Sequence, residues 1–210
     1  MHIFEPRYRQ MLADCLAADQ RFGMTYTARE DGPPIQGEEA PRPGDIGCVA
    51  VIRSTEQLPD GRANILAEGE QRFVLMRCYL GDRLYQLAEV EEFDDDPLQP
   101  GEAASLASDV RHSFLRLARA LGTLAGQDLD QPLELPTDPT ALSFRVSAAL
   151  ELEASTKRAL QAGRSTMGRL RQLSALLGPL TVEAERRAVV RERAKGNGRG
   201  GRHPEIERAT

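Results

Sequence analysis

The feature that most constrains this chain is a change of hydrophobic period near residue 95. Up to Phe93 the apolar residues fall in short runs, alternating or unbroken, punctuated by Gly, Pro and Asp. Short strands joined by tight turns have this pattern. Past the acidic stretch Glu91–Asp96 and Pro97, Leu106, Val110, Phe114, Leu117, Leu121 and Leu124 recur at the three-to-four-residue spacing of an amphipathic helix. The expected fold class is therefore α+β, a small antiparallel β sheet or barrel followed by an α-helical bundle. The expected boundaries are 1–93 for the β-rich part, 94–195 for the helical lobe and 196–210 for a Gly/Arg-rich tail with the composition of disorder.

Within this frame, Tyr8, Met11, Leu12, Cys15 and Leu16 share one face of a helix over 5–19, with Pro6 in its first turn. Phe22, Met24 and Tyr26 alternate in a strand over 21–28, and the Pro- and Gly-rich segment 29–44 reads as a loop. Ile46–Arg53, Ala63–Glu68, Arg72–Cys78 and Leu84–Glu91 read as four more strands, with turns at Leu58-Pro59-Asp60-Gly61, Gly69-Glu70-Gln71 and Gly81-Asp82. After a loop marked by Pro132, Pro136 and Pro139, a second helix carries Leu142, Val146, Ala149 and Leu150. A third carries Met167, Leu170, Leu173 and Leu177 and is expected to end at Gly178-Pro179, leaving a fourth over about Val182–Ala194.

Composition limits the class of function. Apolar residues make up 40% and charged residues 28%, which suits a soluble globular chain. No run is long enough to span a membrane, and Met1–Pro6 lacks the basic and apolar regions of a signal peptide, so a cytoplasmic location is expected. Cys15, Cys48 and Cys78 are scattered, without a Cys-x-x-Cys pair, and read as small buried hydrophobes in a reducing compartment. Charge is uneven. Residues 1–140 carry 13 basic and 25 acidic side chains, and residues 141–210 carry 14 and 7.

Catalytic patterns are missing where they would be sought. The lysines are Lys157 and Lys195, and neither follows a glycine as a Walker A lysine does. Lys157 lies near Ser155, but on a charged helical stretch rather than in the apolar setting that activates a Ser–Lys dyad. Ser165 in Gly163-Arg164-Ser165-Thr166-Met167-Gly168 reads as a helix N-cap, not a nucleophile elbow. His2, His112 and His203 are isolated, and the Glu91–Asp96 run reads as a solvated linker rather than a cation site. No enzyme activity, cofactor or metal is expected.

Four ordered blocks carry a resemblance. They are His2-Ile3-Phe4-Glu5-Pro6-Arg7-Tyr8-Arg9, Pro43–Ala50, Leu58–Arg62 and Leu66-Ala67-Glu68-Gly69-Glu70-Gln71-Arg72-Phe73. They resemble, in turn, the FEPRY signature, the G-x-x-G-x-x-A strand, the hairpin and the EGxxRF motif of the N-terminal, substrate-binding domain of the Lon protease family. Leu142–Leu150 and Arg169–Leu177 are similar to that family's helical half, so the likeness spans about residues 2–178. The resemblance implies a PUA-like pseudo-barrel with a helical lobe. It also implies a role in recognising damaged, unfolded or degron-bearing proteins and in supporting hexamer assembly, without the ATPase and peptidase parts. Family members have a further strand before the FEPRY block. An upstream start to the natural protein is the preferred account, and a sheet edge left open is the other.

The signature residues Phe4, Glu5, Pro6, Arg7, Tyr8, Glu68, Gly69, Arg72 and Phe73 are expected to be structural. Glu5 and Arg7 are expected to pair with Glu68 and Arg72 across the β part, with Phe4 and Phe73 in the core. The expected function is a protein-binding module for unfolded segments, an adaptor or chaperone-like factor that assists a separate protease, its groove unassigned. The alternative is RNA or DNA binding through Arg164, Arg169, Arg171, Arg186, Arg187, Arg191, Arg193, Lys195, Arg199 and Arg202.

Overall fold

The computed structural model describes residues 1–25, 41–99, 101–127 and 133–197. Tyr26, most of the loop expected over 29–44, Pro132 and the tail from 198, with Arg199, Arg202 and His203, lie outside the described residues, as does the side chain of Lys195. The chain divides into two compact units. The first holds Met1–Asp95 and Glu153–Arg164, and the second holds Asp96–Leu152 and the chain from Ser165 on.

The first unit is built on an antiparallel sheet. Its elements are β1 (His2–Ile3), α1 (Pro6–Leu16), β2 (Arg21–Thr25), β3 (Ile46–Gln57), β4 (Ala63–Tyr79) and β5 (Leu87–Glu92), with α4 (Ala154–Ala162) added from later in the chain. The strand order is β1-β4-β3-β2, and β5 pairs with β4. Pro6 occupies the first turn of α1, where its missing N–H has no partner to lose. Ile3, Leu12, Phe22, Ala50, Ile52, Ala63 and Ile65 form the core cluster, and Met11, Cys15 and Ala67 pack against it. Tyr8 and Leu16, from the expected α1 stripe, are exposed at its margin.

Two departures in this unit have local causes. The strands expected at 63–68 and 72–78 are one strand, because Gly69-Glu70-Gln71 is a bulge and not a turn. Pairing passes from Ala50↔Gly69 to Val49↔Gln71, leaving Glu70 as the extra residue. Its carboxylate is held by Arg21, through Nε at 2.6 Å and Nη2 at 3.0 Å. The last strand starts at Leu87 rather than Leu84, since the residues before it bind α1. Leu84 N–H donates to Gln10 Oε1 (2.7 Å), and Asp14 accepts from Arg83 (3.0 Å) and Tyr85 (2.8 Å).

The second unit consists of α2 (Ala104–Ala125), α3 (Pro139–Ala149) and α5 (Thr166–Asn197). Asp138 caps α3 by accepting from Ala141 N–H at 2.7 Å, with Pro139 next in line. Ser165 caps α5, accepting from Gly168 N–H at 3.0 Å. The third and fourth expected helices are a single helix running through Pro179. A proline there removes a backbone bond and costs about 3 kcal/mol in a helix interior. The buried stripe Leu170, Leu173, Leu177, Thr181, Ala184 and Ala188 continues across it at helical spacing. Each large apolar side chain in such a stripe contributes about 1.5–3 kcal/mol on burial, which outweighs the defect. On α2, Val110, Phe114 and Leu117 are buried as expected, whereas Leu121 is exposed.

Candidate functional site

Several motif residues, Gly47, Arg72 and Phe73 among them, make close contacts within the first unit. In the G-x-x-G-x-x-A block, Gly44 has φ +93°, a left-handed conformation that favours glycine. Gly47 is needed for a different reason: a Cβ there would lie 2.2 Å from Phe73 Cζ and 2.7 Å from the Met24 carbonyl. Ala50 is buried in the core cluster. The Phe73 ring thus rests on the bare backbone of Gly47, and Phe73 itself is 4% exposed.

Arg72, beside it, is 8% exposed and holds three acceptors. Its Nη1 donates to the carbonyls of Gln161 (2.5 Å) and Gly163 (2.8 Å), and its Nη2 pairs with Asp95. Those carbonyls terminate α4, whose last groups have no partner within the helix. Arg72 therefore fastens α4 to the sheet and favours the negative end of that helix's dipole. Its guanidinium and that of Arg164 both stand over the Phe93 ring, 4.7 and 4.4 Å from the centroid.

The ion pairs differ from those expected. Glu5 pairs with Arg7 of its own motif (2.8 Å) and Glu68 with Arg53 on β3 (2.8 Å), so neither carboxylate crosses to the other motif. The reason is proximity: both pairs are exposed neighbours, and Arg72 is taken by buried acceptors near α4. Phe4 is 57% exposed, not in the core; its ring stacks on His2. Arg7 covers the Tyr8 ring at 4.5 Å. The acidic run is no free linker either, because Asp94 accepts from Gln71 (2.9 Å) and Asp95 is bound by Arg72.

Among the described residues the outer edge of β4 is paired at its two ends. β3 pairs with β4 from Ala63 to Val74, so β1 (at Ala63 and Asn64) and β5 (from Phe73 on) must both lie on the opposite edge of β4. At one end Met1 and Ile65 exchange both backbone bonds, at 2.7 and 2.8 Å. At the other, Phe93 N–H donates to Arg72 C=O at 3.0 Å. Backbone groups alternate sides along a strand, so Ala67 and Gly69 turn theirs the same way as Ile65. Ile52, opposite Ala67, bonds instead to Gln20 on the β2 side, as that alternation requires. Among the described residues nothing pairs with Ala67 and Gly69 on the outer edge.

Among the described residues, no three His, Cys, Asp or Glu side chains stand together in a metal-binding group, and no helix is long and apolar enough to cross a membrane. Cys15, Cys48 and Cys78 are free and partly buried, and burial pushes each thiol above its ordinary pKa, which disfavours the reactive thiolate. Ser155 and Lys157 are two residues apart on α4, so they do not face each other. His112 is exposed.

Solved structures place the fold. The N-terminal domain of a Mycobacterium avium complex Lon protease is similar with a TM-score of 0.60 at 20% identity, covering 84% of this chain and 89% of that one. A Lon N-terminal domain protein from Xanthomonas campestris gives 0.54 at 23% identity, covering 83% and 86%. The architecture is that of a Lon N-terminal domain. Residues 1–178 match the model of the ATP-dependent protease La (LON) substrate-binding domain, and the chain belongs to that family. A Lon protease from Trichlorobacter lovleyi is 28% identical over 168 residues, 74% of this chain. A LON peptidase N-terminal domain and RING finger protein from Schizosaccharomyces pombe is 32% identical over 107 residues, 47% of this chain. The matched regions span only 20% and 22% of those two relatives.

Proposed function

We propose that this chain is a non-catalytic cytoplasmic module that binds unfolded or degron-bearing polypeptides and serves as an adaptor or chaperone-like factor for a separate protease. The observation that carries this reading is the substrate-binding family match across residues 1–178. The first unit adds support through large apolar side chains in water, Leu66, Leu80 and Leu84 among them.

The arginine-rich alternative is weakened by where those side chains go. Arg169 is 2% exposed, donating to Ser143 Oγ (2.8 Å) and Thr166 Oγ1 (3.3 Å). Arg186 and Arg187 pair with Glu183, and Arg191 binds the Leu124 carbonyl.

The test is fluorescence anisotropy with labelled lactalbumin, either native or reduced and carboxymethylated, and with a labelled single-stranded RNA, at low and high salt. The unfolded form is expected to bind, to outcompete the native form and to survive high salt. Binding of RNA alone, lost as salt rises, would overturn the proposal.

A further inference from the structure

We infer that the solvent-facing side of α5 is a docking surface for an acidic amphipathic helix of a partner protein. This goes beyond the proposed binding of unfolded polypeptides and does not depend on it.

Spacing sets the row of side chains. Arg171, Val182 and Arg193 are eleven residues apart, and so are Gly178 and Val189, and Ala175 and Arg186. A repeat of that length is three turns of about 3.7 residues each, so these positions stay on one side of the helix. All of them are exposed. The buried stripe runs one residue before the row, at Leu170, Leu177, Thr181 and Ala188, about 100° round the helix. One face of α5 therefore serves the bundle, and the other is left to solvent.

The row is cationic with apolar interludes. Val182 and Val189 are 64% and 50% exposed. Among the described residues no carboxylate pairs with Arg171 or Arg193, and Arg186 shares Glu183 with Arg187. Over 171–193 the helix carries five arginines and three glutamates. Nothing lies within 4 Å of where a Cβ on Gly178 would stand, and Ala175 adds only a methyl, so a second helix can approach closely there.

These features select the occupant. A partner helix with apolar residues opposite Val182 and Val189 and carboxylates opposite the arginines matches the row in shape and charge. A second copy presenting the same row would set arginine against arginine. Nucleic acid would find no aromatic side chain to stack on, and would meet Glu183, Glu185 and Glu192 on the same helix. A membrane surface would gain little apolar area from two valines.

The experiment measures fluorescence anisotropy of a labelled helical peptide titrated with the full chain. The peptide carries Glu and Leu on one face at three- and four-residue spacing. A peptide with Gln for each Glu, a single-stranded RNA, and vesicles of phosphatidylglycerol and phosphatidylcholine are compared with it. The Glu peptide is expected to bind, to weaken as salt rises, and to bind roughly fivefold or more tightly than the Gln peptide. Arg171→Glu combined with Arg193→Glu should weaken it roughly tenfold. A peptide with Lys for each Glu should bind that variant and not the parent, a swap that only a folded variant can show. Val182→Ser combined with Val189→Ser should weaken the Glu peptide roughly threefold or more. Reduced, carboxymethylated lactalbumin should bind the parent and both variants equally. No binding of the Glu peptide, equal binding of the Glu and Gln peptides, no effect of the charge reversal, or binding of RNA or vesicles alone would overturn the inference. Lactalbumin binding lost in parallel with peptide binding would overturn it as a separate surface. Lactalbumin that binds no form of the chain would overturn the proposed function and leave this inference standing.

Discussion

Replacing Arg72 with methionine keeps the length and apolar body of the side chain and removes its charge and donors. Arg72 and Asp95 expose only 9% and 11% of their side chains, so solvent screens the pair weakly. Removing one partner of such a pair typically costs about 3–5 kcal/mol. The carbonyls of Gln161 and Gly163 also lose a charged donor each, a further 1.5–3 kcal/mol or so per bond if water does not replace it. Because these contributions share one side chain they do not add, and the expected net loss is about 3–5 kcal/mol. Against a domain stability of about 5–15 kcal/mol this is a large fraction.

Arg72→Lys should recover only part, since an ammonium is a point donor and cannot span acceptors arranged around a planar fork. Arg72→Met combined with Asp95→Leu should be more stable than Arg72→Met alone, because no carboxylate is left facing the apolar substitute. Urea unfolding followed by far-UV circular dichroism measures the totals, and hydrogen exchange along α4 locates them. An Arg72→Met protein within 0.5 kcal/mol of the parent, with the α4 amides equally protected, would refute the claim that Arg72 fastens this helix.

Three other perturbations have signs fixed by the structure. Gly47→Ala places a methyl against the Phe73 ring and the Met24 carbonyl, and is expected to cost about 1–3 kcal/mol in urea unfolding, partly restored by Phe73→Leu. Pro179→Ala supplies the missing N–H to an exposed turn of α5 and should raise stability by about 1–3 kcal/mol, read as a higher Tm. Glu70 is held below its ordinary pKa of 4.5 by its hydrogen bond to Arg21. A carboxylate with a lowered folded-state pKa stabilises fully above its unfolded value and loses that contribution as pH falls through the folded one. Glu70→Gln should therefore lower stability at neutral pH and converge with the parent below pH 4.5, as acid titration of unfolding would show.

The change from strands to helices was legible because a period of two and a period of 3.6 are distinct signals over ten or more residues, whereas β1 and α4 are too short to give one. The core of the first unit was legible in part, with Leu12, Met11 and Cys15 on the expected face of α1. Where the reading failed, two physical outcomes share one local signal. A glycine beside charged residues serves a turn or a bulge equally well, and only the twelve-residue partner β3 makes Gly69 the latter. A Gly-Pro pair normally ends a helix, but the apolar stripe on both sides of Pro179 keeps α5 whole.

The site was less legible still. Arg72 finds its acceptors 23, 89 and 91 residues away, two of them backbone carbonyls that carry no side-chain identity. No spacing rule reaches that far.

The placing of α4 bears on the order in which the protein is made. The last described strand of the first unit ends at Glu92, yet the helix that Arg72 grips is synthesised only after the first two helices of the second unit. A nascent chain emerging at about 5–20 residues per second would spend several seconds with Arg72 and Asp95 facing water where α4 will sit. During that interval the charged groups that will hold the end of α4 are hydrated. The carbonyls of Gln161 and Gly163 replace that water when α4 arrives.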